Sequence, residues 1–177
     1  VINKGDQMRQ LLTVVLLSVL SAGLKPAFAA NQAEILFKGT LVTPPPCSID
    51  NNQIIHVPFG DRLSIKKVSD GIYRKDVPYN LVCENTAGRD WKLMLSVRGT
   101  LATFDTTDKA TVATSSGNPG NLGVKILRNG QAFPFDSPIE VCLSAMPRIE
   151  AVLVQRPNIE LVEGPFEATV TLRAEYL

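Results

Sequence analysis

Few residues in this chain could do chemistry, and their spacing argues against most reactions. The 177 residues include three cysteines, Cys47, Cys83 and Cys142, and a single histidine, His56. No Cys-x-x-Cys pair occurs, so the clustered ligands of a tetrahedral zinc site are lacking. Cys142, in Ile139-Glu140-Val141-Cys142, could be paired with His56 as a thiol nucleophile and its base. No nucleophile motif surrounds it, however, and a buried, inert thiol is the expected state. His56 lies between Ile55 and Val57 on the outward side of an alternating segment, which makes it a surface imidazole. With no constellation of acid, base and nucleophile, the chain reads as a non-enzyme without metal or cofactor.

Charge narrows the partners. Lys plus Arg number 18 against 17 Asp plus Glu, so no basic field exists to hold a phosphate backbone, and nucleic acid is not an expected partner. Hydrophobic residues make up 45% of the chain, enough for one domain with its own core.

The elements that position these residues begin after an export signal. Arg9 precedes the apolar run Leu11 to Leu20, Pro26 breaks it, and Ala27-Phe28-Ala29 supplies the small residues that a signal peptidase needs. Residues 1–29 therefore read as a signal peptide, with Met8 a better start and 1–7 a start-site extension. The apolar run is too short to span a bilayer. Cleavage removes Lys4, Arg9 and Lys25 against Asp6, which leaves 15 basic and 16 acidic residues. Export also permits disulfides, which a reducing cytosol would not.

From Ala30 onward apolar residues alternate with period two and never hold a helical stripe for three turns, so the class is all-β. Ala33, Ile35, Phe37 and Gly39 share one face of the first run, which stops at Pro44-Pro45-Pro46. Ile55, Val57 and Phe59 alternate next, with Pro58 marking an edge strand or a bulge. Tyr79, Leu81 and Cys83 share a face, and Trp91, Leu93, Leu95 and Val97 predict the clearest short strand, with Tyr79 and Trp91 facing inward. Leu122, Val124 and Ile126 lead to Asn129-Gly130, a type I′ hairpin signal, and Ile149 to Val154 predicts a further strand. Residues 60–76 and 106–119 read as solvated loops. The last run is the most regular: Phe166, Ala168, Val170, Leu172, Ala174 and Tyr176 alternate with mostly polar neighbours up to Leu177. Seven or eight short strands with turn signals between them predict an immunoglobulin-like sandwich.

These residues resemble the pilin subunits of chaperone-usher fimbriae. The match runs through Ile35-Leu36-Phe37-Lys38-Gly39-Thr40-Leu41, Pro46-Cys47, the Ile-x-Val-x-Phe-Gly run at 55–60 and Pro78-Tyr79-x-Leu81-x-Cys83. It resumes at Asn121-Leu122-Gly123 and ends with Gly164-x-Phe166-x-Ala168-x-Val170-x-Leu172-x-x-x-Tyr176. A glycine fourteenth from the C-terminus, an alternating strand and a penultimate tyrosine together are specific for the family.

The resemblance implies an incomplete immunoglobulin-like sandwich that lacks its last strand and is completed by a donor strand from another chain. By that implication residues 30–40 form a donor extension whose Ala33, Ile35, Phe37 and Gly39 enter a neighbour's groove, and 41–177 form the pilin domain. Gly164, Phe166, Ala168, Val170, Leu172, Ala174, Tyr176 and Leu177 would line the accepting groove. The implied partners are a periplasmic pilus chaperone, an outer-membrane usher and neighbouring subunits, and the destination is the surface fimbrium. Cys47 and Cys83 are expected to form a disulfide, with Cys142 left as a thiol, a departure from the single cysteine pair common in the family. The implied role is a structural subunit of minor or adaptor type that supports adhesion. The alternative is a single-domain receptor-binding subunit or a secreted immunoglobulin-like binding module.

Overall fold

The computed structural model describes residues 33–84 and 91–177, so the signal peptide read at 1–29 lies outside the described residues. Residues 33–41 contain no regular strand, and every one of them is exposed.

From Val42 onward the chain is all-β. The larger sheet has the order β2-β9-β6-β5, from Arg74–Asp76, Ile149–Gln155, Leu122–Arg128 and Thr111–Ala113, with β7 (Gln131–Ala132) added to β6. A second sheet has the order β10-β4-β8, from Val170–Tyr176, Leu93–Gly99 and Ile139–Glu140. A separate pair joins β1 (Cys47–Ile49) to β3 (Leu81–Cys83), and all ladders are antiparallel. The sheets are not closed by further strands among the described residues.

The core is supplied where the alternation predicted it. Leu95 and Val97 of β4 meet Val124 and Ile126 of β6, Leu153 of β9 and Phe133 in one buried cluster. The hairpin at Asn129-Gly130 forms as expected, with φ of 49° and 80° at its two central residues and Arg128 opposite Gln131. Trp91 and Tyr79 are half-buried, and the Tyr79 hydroxyl donates to the Pro147 carbonyl at 2.6 Å. Burial raises the pKa of that phenol.

Both segments read as solvated loops are corrected. Within 60–76, Val68 is buried, Leu63 and Ile65 pack half-buried against the core, and Arg74–Asp76 forms β2. Within 106–119, Ala110, Thr111 and Val112 are buried, and β5 pairs Val112 with Val124. Polar composition misled in both places because β2 exposes all three of its side chains and β5 spans only three residues in a Thr- and Ser-rich stretch. β2 is the outer edge of its sheet and exposes Arg74, Lys75 and Asp76, charges that discourage edge-to-edge pairing. Behind it Glu150 is buried, with its carboxylate 3.4 Å from Arg74 and 3.5 Å from Arg148. Arg148 also binds Asp76 at 2.6 Å, which holds the Asp76 carboxyl below its usual range.

Candidate functional site

The residues predicted to line an accepting groove converge on β10. It pairs with β4 along its whole length, from Val170 opposite Gly99 to Tyr176 opposite Leu93. Leu177 and Lys92 extend the ladder through reciprocal backbone hydrogen bonds of 2.9 and 3.1 Å. The fit is long because alternation over Phe166 to Tyr176 keeps one face apolar, and β4 offers an equally regular partner.

β10 is nevertheless the end strand of its sheet, so its second edge carries no ladder among the described residues. β1 comes close to it without pairing. Along the inward face Phe166, Ala168, Val170, Leu172 and Ala174 pack against the core yet stay only half-buried. Thr171 and Arg173 point to solvent. Tyr176 is buried, its ring 6.4 Å from that of Trp91, whereas Leu177 is exposed. Gly164, at φ 151°, lies in a bend of the chain just before Pro165.

The run at 54–60 corrects another expectation. Ile55, Val57 and Phe59 do turn inward while Ile54, His56 and Pro58 are exposed, as the alternation requires. The segment is not a strand, and no backbone hydrogen bond joins 54–60 to any other described residue. Its side chains are placed, but its backbone pairs with no strand among the described residues. Phe59 packs against Phe166 in a tilted pair with ring centroids 6.0 Å apart, tying this run to the lead-in of β10. Two unpaired backbones beside a half-covered apolar face are what an extended strand needs in a receptor: hydrogen bonds for its main chain and pockets for alternate side chains.

The predicted donor residues Ala33, Ile35, Phe37 and Gly39 all lie in the exposed segment, with Ile35 at 75% and Phe37 at 87% exposure. Ile35, Leu36 and Phe37 are consecutive, so the segment exposes a contiguous apolar run rather than a single side chain.

Cys47 and Cys83 are directly opposite each other in the β1–β3 ladder and form a disulfide. Cys142 is a free thiol, as expected, but it is exposed rather than buried. β8 ends at Glu140, and a tight turn from Cys142 to Ala145, closed by a 2.9 Å backbone hydrogen bond, lifts the thiol off the sheet. Hydrogen bonding to the Ser144 side chain, 3.0 Å away, and then to its backbone lowers the Cys142 pKa. Among the described residues no group of His, Cys, Asp and Glu is arranged to hold a metal ion, and no helix is long and apolar enough to cross a membrane.

Sequence reasoning missed the Phe59–Phe166 contact and a loop, residues 114–118, that hydrogen-bonds to the segment before β10. A pairing of two aromatics more than a hundred residues apart leaves no local signal, and a Ser-Ser-Gly-Asn run reads as a turn whatever it touches.

The chain shares its fold with solved pilus subunits. It aligns with the P pilus rod subunit PapA at a TM-score of 0.56 and 21% identity, covering 81% of this chain and 100% of that one. The P pilus adaptor subunit PapF aligns at 0.55 and 20% identity, covering 76% and 98%. In sequence, the uncharacterized fimbrial-like protein YfcQ of Escherichia coli (strain K12) is 34% identical over 164 residues, 90% of this chain and 96% of that protein. The fimbrial-like protein YfcR of the same strain is 28% identical over 159 residues, 88% of this chain and 84% of that protein. The family described as Fimbrial protein matches residues 35–177, and with the open sandwich this establishes that the chain belongs to the fimbrial protein family, whose members are structural rather than catalytic.

Proposed function

We propose that this fimbrial subunit polymerises by strand exchange in a chaperone-usher fimbrium, as a subunit of minor or adaptor type that supports adhesion. The observation that carries the reading is the free edge of β10 with its half-buried apolar face. Phe166, Ala168, Val170, Leu172 and Ala174, followed by Tyr176 and Leu177, form the accepting strand. Residues 30–40 form the donor extension, with Ala33, Ile35, Phe37 and Gly39 on its inserting face. A periplasmic chaperone covers the groove first, an outer-membrane usher receives the complex, and the next subunit's extension then replaces the chaperone. The signal at 1–29 directs the chain to the periplasm on its way to the cell surface.

Filling the groove with a donor strand is favourable on two counts. Each large donor side chain contributes roughly 1.5 to 3 kcal/mol on full burial, and each backbone hydrogen bond about 0.5 to 1.5 kcal/mol net. Thermal unfolding of residues 30–177, with and without a synthetic peptide of residues 30–42, tests the reading. Protein alone is expected to be marginal or to aggregate, and the peptide to rescue it. A stable, cooperative monomer indifferent to the peptide would sink the reading, provided that deletion of 30–38 leaves its stability unchanged and so excludes self-complementation.

A further inference from the structure

We infer that loop 114–118 is a clamp that holds the lead-in of β10, residues 162–167, in the shape a donor strand enters. This role presupposes that β10 accepts a donor. Burial holds only Phe166 of the lead-in, which packs half-buried against the core, since Val162, Glu163, Gly164, Pro165 and Glu167 are all exposed and form no strand. Hydrogen bonds and contact from one loop hold these exposed residues.

Asn118 acts from its side chain as a strand would from its backbone. Its Nδ2 donates to the Val162 carbonyl at 2.8 Å, and its Oδ1 accepts from the Val162 N–H at 2.7 Å. Further along, the Ser115 N–H donates to the Glu167 carbonyl at 2.8 Å and the Ser115 hydroxyl donates to the same oxygen at 3.2 Å, with Ser116 and Glu167 in a bridge. Between these points the backbones touch. A Cβ at Gly117, where φ is 64°, would fall 2.0 Å from the Pro165 carbonyl oxygen, so only glycine lets the loop close on the lead-in. The loop is itself anchored: the hydroxyl of buried Thr114 donates within reach of the Gly117 and Leu122 carbonyls, at 2.9 and 3.2 Å.

The consequence falls on Phe166, which sits inside the clamped stretch and meets Phe59. If the lead-in were free, this half-buried ring could settle into the uncovered apolar face and occupy the groove from within. A subunit whose receptive state is only partly populated takes up ligand more slowly in proportion to that fraction. The clamp therefore acts on entry, through position, without touching the incoming strand.

The test uses the subunit co-purified with its chaperone and a fluorescent peptide of residues 30–42, with the second-order rate of uptake and the rate of peptide loss as readouts. Asn118→Gly removes the amide while tolerating the positive φ of 52° at that position. It is expected to slow uptake at least about fivefold and to leave peptide loss unchanged, because only the receptive fraction has fallen. Asn118→Asp keeps the acceptor for the Val162 N–H but sets a carboxylate oxygen against the Val162 carbonyl, so it should slow uptake too, and Gly117→Ala should slow uptake by a separate route. Asn129→Gly is the matched control: it too sits at positive φ and gives up one side-chain hydrogen bond, to the Arg148 N–H at 2.9 Å, in another loop. Unchanged or faster uptake by Asn118→Gly overturns the clamp, and so does equal slowing by Asn129→Gly. A wild-type complex that takes up no peptide is a different failure, that of the donor-strand reading itself, and the clamp falls with it.

Discussion

Phe59 and Phe166 face each other with ring centroids 6.0 Å apart and planes inclined by 56°, one ring on a run without backbone partners and the other just ahead of β10. The contact joins the two sides of the open region where no ladder does. Deleting a fully buried Phe ring costs about 3 to 5 kcal/mol, so a half-buried ring should account for about half of that. Phe166→Ala is expected to lower the stability of the peptide-complemented subunit by about 2 kcal/mol, and Phe59→Ala by a similar amount. Because the rings touch, the double variant should lose less than the sum by at least about 0.5 kcal/mol. Urea unfolding of the four proteins with bound peptide measures this, and strict additivity would show that the pair carries no coupling.

What was legible in the sequence follows from how much of each element's signal is local. β10, β4, β6 and β9 are seven-residue strands whose alternation is visible without a partner. The Asn129-Gly130 turn declares itself through its residue types. β5 and β2 did not, because three residues leave too few inward positions to show a period against polar neighbours. The run at 54–60 displays the reverse case: alternation predicted which side chains turn in, yet pairing depends on a neighbouring backbone that the sequence of the run does not encode. Cys142 was misjudged for a related reason, since the turn that ends β8 two residues earlier carries no strong turn residue. The clamp on Val162 was out of reach altogether, because a side-chain amide imitating a strand looks like any loop asparagine.

The disulfide offers a second prediction. Cys47 and Cys83, 36 positions apart, close a loop across the β1–β3 pair, which no third strand joins by a ladder among the described residues. In the chain-entropy model such a loop stabilises the fold by about 4 kcal/mol. Replacing both cysteines by serine should lower the unfolding free energy by about that amount, read as a fall in the urea midpoint with a steeper slope, because the unfolded chain expands. Non-reducing peptide mapping of the native protein should return a single bridge, with Cys142 alkylated by a thiol reagent without unfolding. Finding Cys142 in an intramolecular bridge would contradict the structure.

Acid sensitivity should have a local origin at Asp105. Burial alone would raise its pKa, but the Thr111 hydroxyl and the Ala110 and Asp108 N–H groups donate to the carboxylate, and Lys125 adds its charge, so the net shift is downward. A carboxylate depressed in the folded state binds its proton more readily when unfolded. Its stabilisation is therefore complete above the ordinary carboxylate value of about 4 and is lost as pH falls through the lower folded value. Asp105→Asn is expected to remove about 1 to 3 kcal/mol at neutral pH by depriving buried donors of an acceptor. The same change should flatten the pH dependence of the urea midpoint below pH ~4. An unchanged acid slope would place the sensitivity elsewhere.

Gly39 separates giving a strand from receiving one. It lies in the exposed segment, where a Cβ would meet no atom of the described residues within 4 Å. In the proposed register it shares a face with Ala33, Ile35 and Phe37, and would enter a neighbour's groove where the floor is shallow. Gly39→Leu then forces a bulky side chain into that floor, an overpacking that costs about 1 to 3 kcal/mol. The variant should still bind the chaperone through its own β10, because that edge is built from other residues. Two assays read the outcome: chaperone co-purification, expected to be unchanged, and incorporation into fimbriae, expected to stall. Normal polymerisation would mean that residues 33–39 are not the donor. Loss of the chaperone as well would mean that they belong to the subunit's own fold, and the free edge of β10 would then need a different occupant.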